Sequence, residues 1–224
     1  MNISCMRTGR RAVLLGAGAL ALGLVACGTA PPAAPVAQGM REAPDGTVTV
    51  FHRTSTGSLG SFDGKVEWVQ RSSTWQGRPM RALVSAQAGT SLHDPEANLA
   101  LVANLAADGR PLLSYSPPLG YAFPLSVGQR WSSSHVVTSH ASGATTPVRI
   151  DWRVESWGDV TVPAGTFKAY RIVSVSSLGE RETRWVSPQP GLATLKREVE
   201  RSGQHPLGAG TLRAELLSLR LPAR

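Results

Sequence analysis

Between positions 148 and 155 the chain alternates residue by residue. Val148, Ile150, Trp152 and Val154 are apolar, and Arg149, Asp151, Arg153 and Glu155 are charged. Successive side chains of a strand point to opposite faces, so this period predicts a half-buried strand with one apolar side. Next, Gly158-Asp159 reads as a two-residue hairpin, and Val160-Thr161-Val162 as the returning strand. Pro163-Ala164-Gly165 then marks a turn, with proline presetting φ at the second turn position and glycine suiting the fourth.

The same rhythm of short apolar run and turn signal continues in both directions. Residues 167–176, 181–187, 192–201 and 211–219 follow as candidate strands, separated by Gly- or Pro-bearing loops. Toward the amino terminus the candidates are 47–53, 65–69, 80–86, 99–105, 111–115 and 131–138, with turns at Asp63-Gly64 and Asp108-Gly109. Two segments are ambiguous. Asp94-Pro95-Glu96 has the form of a helix start, although strand is favoured across 94–107, and Leu212, Leu216 and Leu219 also fit helical spacing. The expected fold is all-β: an antiparallel meander of about a dozen short strands, forming a curved half-barrel, a barrel or a sandwich.

The amino terminus sets an address. Arg7, Arg10 and Arg11 precede an apolar stretch, Ala12 to Leu24, with no acidic residue up to position 26. Basic, then apolar, then small is the order of a secretory signal. The stretch, about 13 residues, falls short of the roughly 20 that a membrane-spanning helix needs. Leu24-Val25-Ala26-Cys27 has the form of a lipobox, with Leu24, Val25 and Ala26 as the signal-peptidase recognition residues and Cys27 as the lipidation site. Gly28 stands where Asp would favour inner-membrane retention, so outer-membrane anchoring facing the periplasm is expected. Two or three acyl chains on Cys27 make attachment to the bilayer effectively permanent. The expected organisation is a signal peptide at 1–26, a lipidated Cys27 with a Pro/Ala-rich tether to 46, and a single β-rich domain at 47–224. At about 3.1 Å per residue, such a tether reaches at most some 60 Å.

Composition narrows the function classes. Cys5 and Cys27 are the only cysteines, which leaves the mature domain without a disulfide or a free thiolate. Taking the three signal arginines from the formal +8 leaves about +5 for the mature chain. Acids and arginines alternate along 149–155, 181–184 and 196–201, the pattern of a solvated mixed-charge face. Nucleic acid is not an expected partner, because its binding surface would be a stripe of one sign.

The segments Phe123-Pro-Leu-Ser-Val-Gly128 with Trp131, Val162-Pro-Ala-Gly-Thr-Phe167, Trp185-Val-Ser-Pro188 and Lys196-Arg-Glu198 resemble a group of uncharacterised proteobacterial envelope lipoproteins. The resemblance covers roughly residues 110–220. It implies a curved antiparallel sheet similar to lipoprotein carriers of the Lol type, whose half-open barrel can hold an acyl chain. It brings no catalytic residues.

No pattern specifies chemistry. His135 and His140, five strand steps apart, would be separated by roughly 16 Å on opposite faces, which is unfit for one metal. Asp151 and Glu155 would lie about 13 Å apart, beyond the spacing of paired glycosidase carboxylates. No G-x-S-x-G elbow occurs. No metal, cofactor or catalytic set is therefore expected. Trp131, Trp152 and Trp185 are the candidate lining of a ligand hollow.

The expected function is non-enzymatic binding of an apolar or amphipathic envelope component, or of a protein partner. The alternatives are an assembly subunit of an envelope complex and an envelope-polymer hydrolase. Replacing Cys27 with Ser should abolish both cleavage before position 27 and the added acyl mass. Intact-mass measurement of the membrane fraction checks this, and an unchanged membrane-held product would refute it.

Overall fold

The structure, a computed structural model, describes residues 34–191 and 193–223. Leu24, Val25, Ala26 and Cys27 lie outside the described residues. Among the described residues the chain forms twelve strands and no helix. They are β1 (Val48–Gly57), β2 (Phe62–Trp75), β3 (Arg78–Ser85), β4 (Gly89–Asp94), β5 (Ala100–Leu105) and β6 (Pro111–Leu119). The second half comprises β7 (Arg130–Ser139), β8 (Thr145–Val162), β9 (Gly165–Ser176), β10 (Glu180–Val186), β11 (Lys196–Arg201) and β12 (Gly210–Arg220).

Each strand pairs antiparallel with its chain neighbours, and β1 pairs with β12, so the meander is a closed barrel rather than a half-barrel or a sandwich. The closing seam runs from Val48 opposite Arg220 to Gly57 opposite Gly210, with a bulge beside Phe51. An open sheet would expose a row of unpaired N–H and C=O groups on each edge strand, and closure satisfies both rows.

Several sequence expectations change. Gly158-Asp159 makes no hairpin, because Gly158 pairs with Ala169 and Asp159 with Lys168 inside one long β8–β9 ribbon. The turn at Pro163-Ala164 reverses the chain instead, and Lys168 Nζ donates to Asp159 at 2.9 Å. Glu155 is the extra residue of a bulge that bends β8 partway along. Asp63-Gly64 likewise lies within β2, opposite Thr54 and Arg53. β4 (GTSLHD) was not expected, since its only large apolar residue is Leu92, which is fully buried. In the 94–107 segment a turn precedes β5, so strand replaces the possible helix, and the last run is strand throughout.

The stretch expected to be a spacer also differs. Its described part, from Ala34, is sewn onto the barrel. Ala37 and Leu125 exchange backbone hydrogen bonds of 3.0 and 2.8 Å, and the Tyr170 hydroxyl donates to the Pro35 carbonyl. Arg81 reaches Asp45 at 2.7 Å and Glu42 at 3.4 Å, and donates to the Ala43 carbonyl at 2.8 Å. Composition gave little sign of this, because backbone groups and a distant arginine hold the strap alongside only a few apolar side chains, Ala37, Met40 and Ala43.

The apolar core is divided into three clusters. One gathers Leu125, Trp152, Val154, Tyr170, Ile172 and Val186, with Ala37, Met40 and Phe123 of the strap and the β6–β7 connection packed on it. A second holds Met80, Ala82, Leu92, Val102 and Ala103, and a third Val162, Ala169, Leu195 and Leu216. Each fully buried large apolar side chain contributes about 1.5–3 kcal/mol.

Gly89, at φ +83°, has no room for a side chain, since an added Cβ would lie 2.1 Å from the Leu105 carbonyl oxygen. Gly60, at φ +80°, faces open space. Gly89→Ala should therefore cost about 3 kcal/mol or more, and Gly60→Ala about 1 kcal/mol. Urea denaturation of the two variants checks the difference.

Candidate functional site

Residues directly opposite on neighbouring strands share a face, so register alone defines rows across the barrel wall. One row runs Val154, Ile172, Arg184, Arg197, Ala214, Arg53 and Gly64, across β8 through β12 and on to β1 and β2. The adjacent row on the same face includes Trp131, Trp152, Ser174, Glu182, Val199 and Leu212. Val154, Ile172 and Val199 on this face are buried, whereas Arg181, Glu200 and Arg213 on the other face are exposed. The rows face the lumen.

Arg184 and Arg197 stand directly opposite each other, a repulsive arrangement unless an acid intervenes. Glu182 is that acid. It accepts hydrogen bonds from the Nε of both arginines. Burial by itself would raise the Glu182 carboxyl, but the two guanidinium charges outweigh it and hold the pKa at about 2, from an ordinary 4.5. Arg184 is raised in turn, because the Glu182 charge outweighs the opposing effect of burial. Two residues back along β10, Glu180 pairs with Arg201 at 2.7 Å.

Arg53 has no such partner. Its guanidinium reaches Ser55 Oγ at 3.4 Å and the Leu59 carbonyl at 3.3 Å, and lies 5.6 Å from the Phe62 ring centre. Among the described residues no carboxylate pairs with it, and its Nε is buried without a hydrogen-bond partner. Burial, and then the like charge of Arg197, push its pKa down. Along the wall from β10 to β1, four arginines (Arg53, Arg184, Arg197 and Arg201) thus face two carboxylates, Glu180 and Glu182.

The opposite wall responds to this charge. His93 lies on β4, diametrically across the ring from β10. Burial lowers its pKa; a hydrogen bond to the Leu99 carbonyl works against this, and the Arg184 charge adds to the lowering. Burial raises the phenols of Tyr115 on β6 and of Tyr121 in the β6–β7 connection, while nearby arginines pull them back: Arg197 first at Tyr115, Arg184 first at Tyr121. His93 Nε2 is buried without a hydrogen-bond partner among the described residues.

The side chains of Arg184 and Arg197 keep 30% and 37% of their surface open although they stand between the barrel walls. Barrels of about eight strands are filled by their own side chains, whereas those of 16 or more leave an aqueous channel. Twelve strands fall between, in keeping with the partial exposure of these arginines.

Trp131 and Trp152, expected as ligand lining, stack with ring centres 5.6 Å apart and planes 5° from parallel. Trp152 donates from Nε1 to Ser133 Oγ at 2.9 Å and belongs to the first apolar cluster. Trp185 is not with them. It occupies the opposite face of β10, packs with the third cluster, and carries Lys196 and Arg171 at 5.1 and 5.6 Å from its ring centre. His135 hydrogen-bonds the Pro117 carbonyl and Ser133 Oγ, while His140 meets Ser114 Oγ. Among the described residues no group of three or more His, Cys, Asp or Glu is arranged to hold a metal ion.

The arginine cluster escaped the sequence reading, which took 181–184 and 196–201 as solvated. Only half of each alternation faces water. The available signal was Glu182-x-Arg184-x-Val186, which at period two sets an ion pair on the same face as an apolar residue.

The fold and lumen define an all-β closed barrel with a charged interior. No family model matches the chain, and no curated protein does. Among solved structures it is similar to the hypothetical lipoprotein YmcC from Escherichia coli K12, with 13% identity over 81% of this chain and 86% of that one, at a TM-score of 0.41. A Bacteroides fragilis protein described as exported and YmcC-like in fold gives 10% identity over 82% and 99%, at 0.45. A protein from Parabacteroides distasonis described as a lipoprotein gives 13% over 82% and 99%, at 0.41. Likeness at that level says nothing of ligand or activity, which must come from this chain's own residues.

Because the Glu182 pKa is depressed on folding, its stabilisation is complete above pH 4.5 and is lost as pH falls toward 2. That loss amounts to about 3 kcal/mol in the wild type. Glu182→Gln should remove this part of the acid dependence. At neutral pH it should cost about 3 kcal/mol or more, since two arginines are left uncompensated. Urea denaturation at stepped pH measures both; an unchanged acid limb would refute the assignment.

Proposed function

We propose that the chain is an outer-membrane lipoprotein, held through acyl chains on Cys27 and facing the periplasm, whose barrel carries an amphipathic envelope molecule in its lumen without transforming it. The observation that carries this reading is the make-up of one continuous inner face. The stacked Trp131 and Trp152 lie in register with Glu182, and the row beside them passes from Val154 and Ile172 into three arginines. Apolar side chains next to charge on one inner face suit a molecule with a greasy part and a polar end.

The lipobox and the charge pattern supply the location, and the absence of a catalytic motif in the sequence supports binding over chemistry. The closed ring leaves no bare strand edge among the described residues for a partner to extend. A protein partner would have to engage side chains, and the exposed large apolar groups, such as Val36, Phe62, Leu112 and Leu207, come from separate segments. Assembly is therefore the weaker reading.

The test is native mass spectrometry of the intact lipoprotein, released from its own membranes into a neutral maltoside detergent. One retained amphipathic molecule per chain is the expected result. Ala214→Trp, which sets a large ring between Arg53 and Arg197, should lose it while keeping the wild-type melting profile. Bare protein in both cases, even after amphipaths are added back, would overturn the proposal.

A further inference from the structure

The lumen contains a charge imbalance that the protein does not resolve by itself. Glu182 is shared between Arg184 and Arg197, and Glu180 is occupied by Arg201. Arg53 is left with a hydroxyl, a carbonyl and the face of the Phe62 ring, and its Nε is buried without a partner. Its cross-strand neighbours are the two smallest residues of the row, Ala214 and Gly64. Ala214 is the only residue between Arg53 and Arg197, so a methyl group rather than a long side chain separates them along the row. A buried guanidinium without an anion is costly, and guanidinium forks match phosphate and carboxylate oxygens.

Resting on the reading of the lumen as an amphipath site, we propose that Arg53 and Arg197 bind an anionic group, a phosphate or carboxylate, at the polar end of the ligand, over Ala214. The site is built for one anion. Glu182 already takes part of the charge of Arg197 and Arg184, so the surplus sits at Arg53. The mutual repulsion of Arg53 and Arg197, expressed in the lowered Arg53 pKa, is relieved when a negative charge bridges them. Across the ring, His93 Nε2 is likewise buried without a hydrogen-bond partner among the described residues.

The experiment uses the intact lipoprotein in maltoside detergent, which serves as the neutral amphipath of the series. Dodecyl phosphate, dodecyltrimethylammonium and inorganic phosphate are titrated separately and occupancy is read by native mass spectrometry. Dodecyl phosphate should bind at least about tenfold tighter than the ammonium amphipath, and added salt should weaken it. Arg53→Gln should reduce dodecyl phosphate affinity about tenfold or more, leave the ammonium amphipath unaffected, and keep the fold, since no acid depends on Arg53. Ala214→Leu, which puts a larger side chain between the two arginines without changing charge, should weaken the same ligand.

Equal binding of the two headgroups, or an Arg53→Gln variant with wild-type affinity for dodecyl phosphate, would overturn the anion site while leaving the amphipath reading standing. Tight binding of inorganic phosphate alone, with no gain from the dodecyl chain, would support the anion site and overturn the amphipath reading. No binding of any of the three would overturn both.

Discussion

The pairing of the first strand with the last is the interaction on which the rest of this structure depends. The other strand pairings are mostly short hairpins, local in sequence and cheap in chain entropy. The β1–β12 seam alone joins residues at opposite ends of the described chain, and it turns a curved sheet into a ring with an inside. Arg53 on β1 thereby meets Ala214 on β12, and through it Arg197 on β11. In an open sheet these side chains would lie near a solvated edge, and their charges would need no compensation.

The apolar residues of the described chain gather into three clusters rather than one, and polar residues share the inner face with them. Transferring four arginines into a dry interior would be prohibitive. The partial openness of Arg184 and Arg197, together with the shared Glu182, makes their position tenable.

How much of this was legible follows from what periodicity can and cannot encode. Val148 to Glu155 announced its strand, and Pro163-Ala164 announced its turn, because both signals are local. The closing seam was not legible, since nothing in residues 48–57 refers to 210–220, and half-barrel and barrel share the same strand list. Gly158-Asp159 and Asp63-Gly64 misled because turn-forming residues are tolerated inside strands when a stronger turn, or a longer register, prevails. The tryptophans were sorted by face. Trp131 and Trp152 fall in register across β7 and β8, whereas Trp185 follows Arg184 directly and so points the other way. The arginine row needed six strand registers at once, none of which a single segment contains.

The strap from Ala34 onward changes the mechanics of attachment. With Pro35 bound by Tyr170 and Ala37 by Leu125, a chain anchored at Cys27 has only the links up to Ala34 to span the distance from lipid to barrel. At full extension these cover about 25 Å, less than half the reach expected of the whole spacer. If Cys27 carries the proposed acyl chains, so short a link would keep one end of the barrel close to the headgroups.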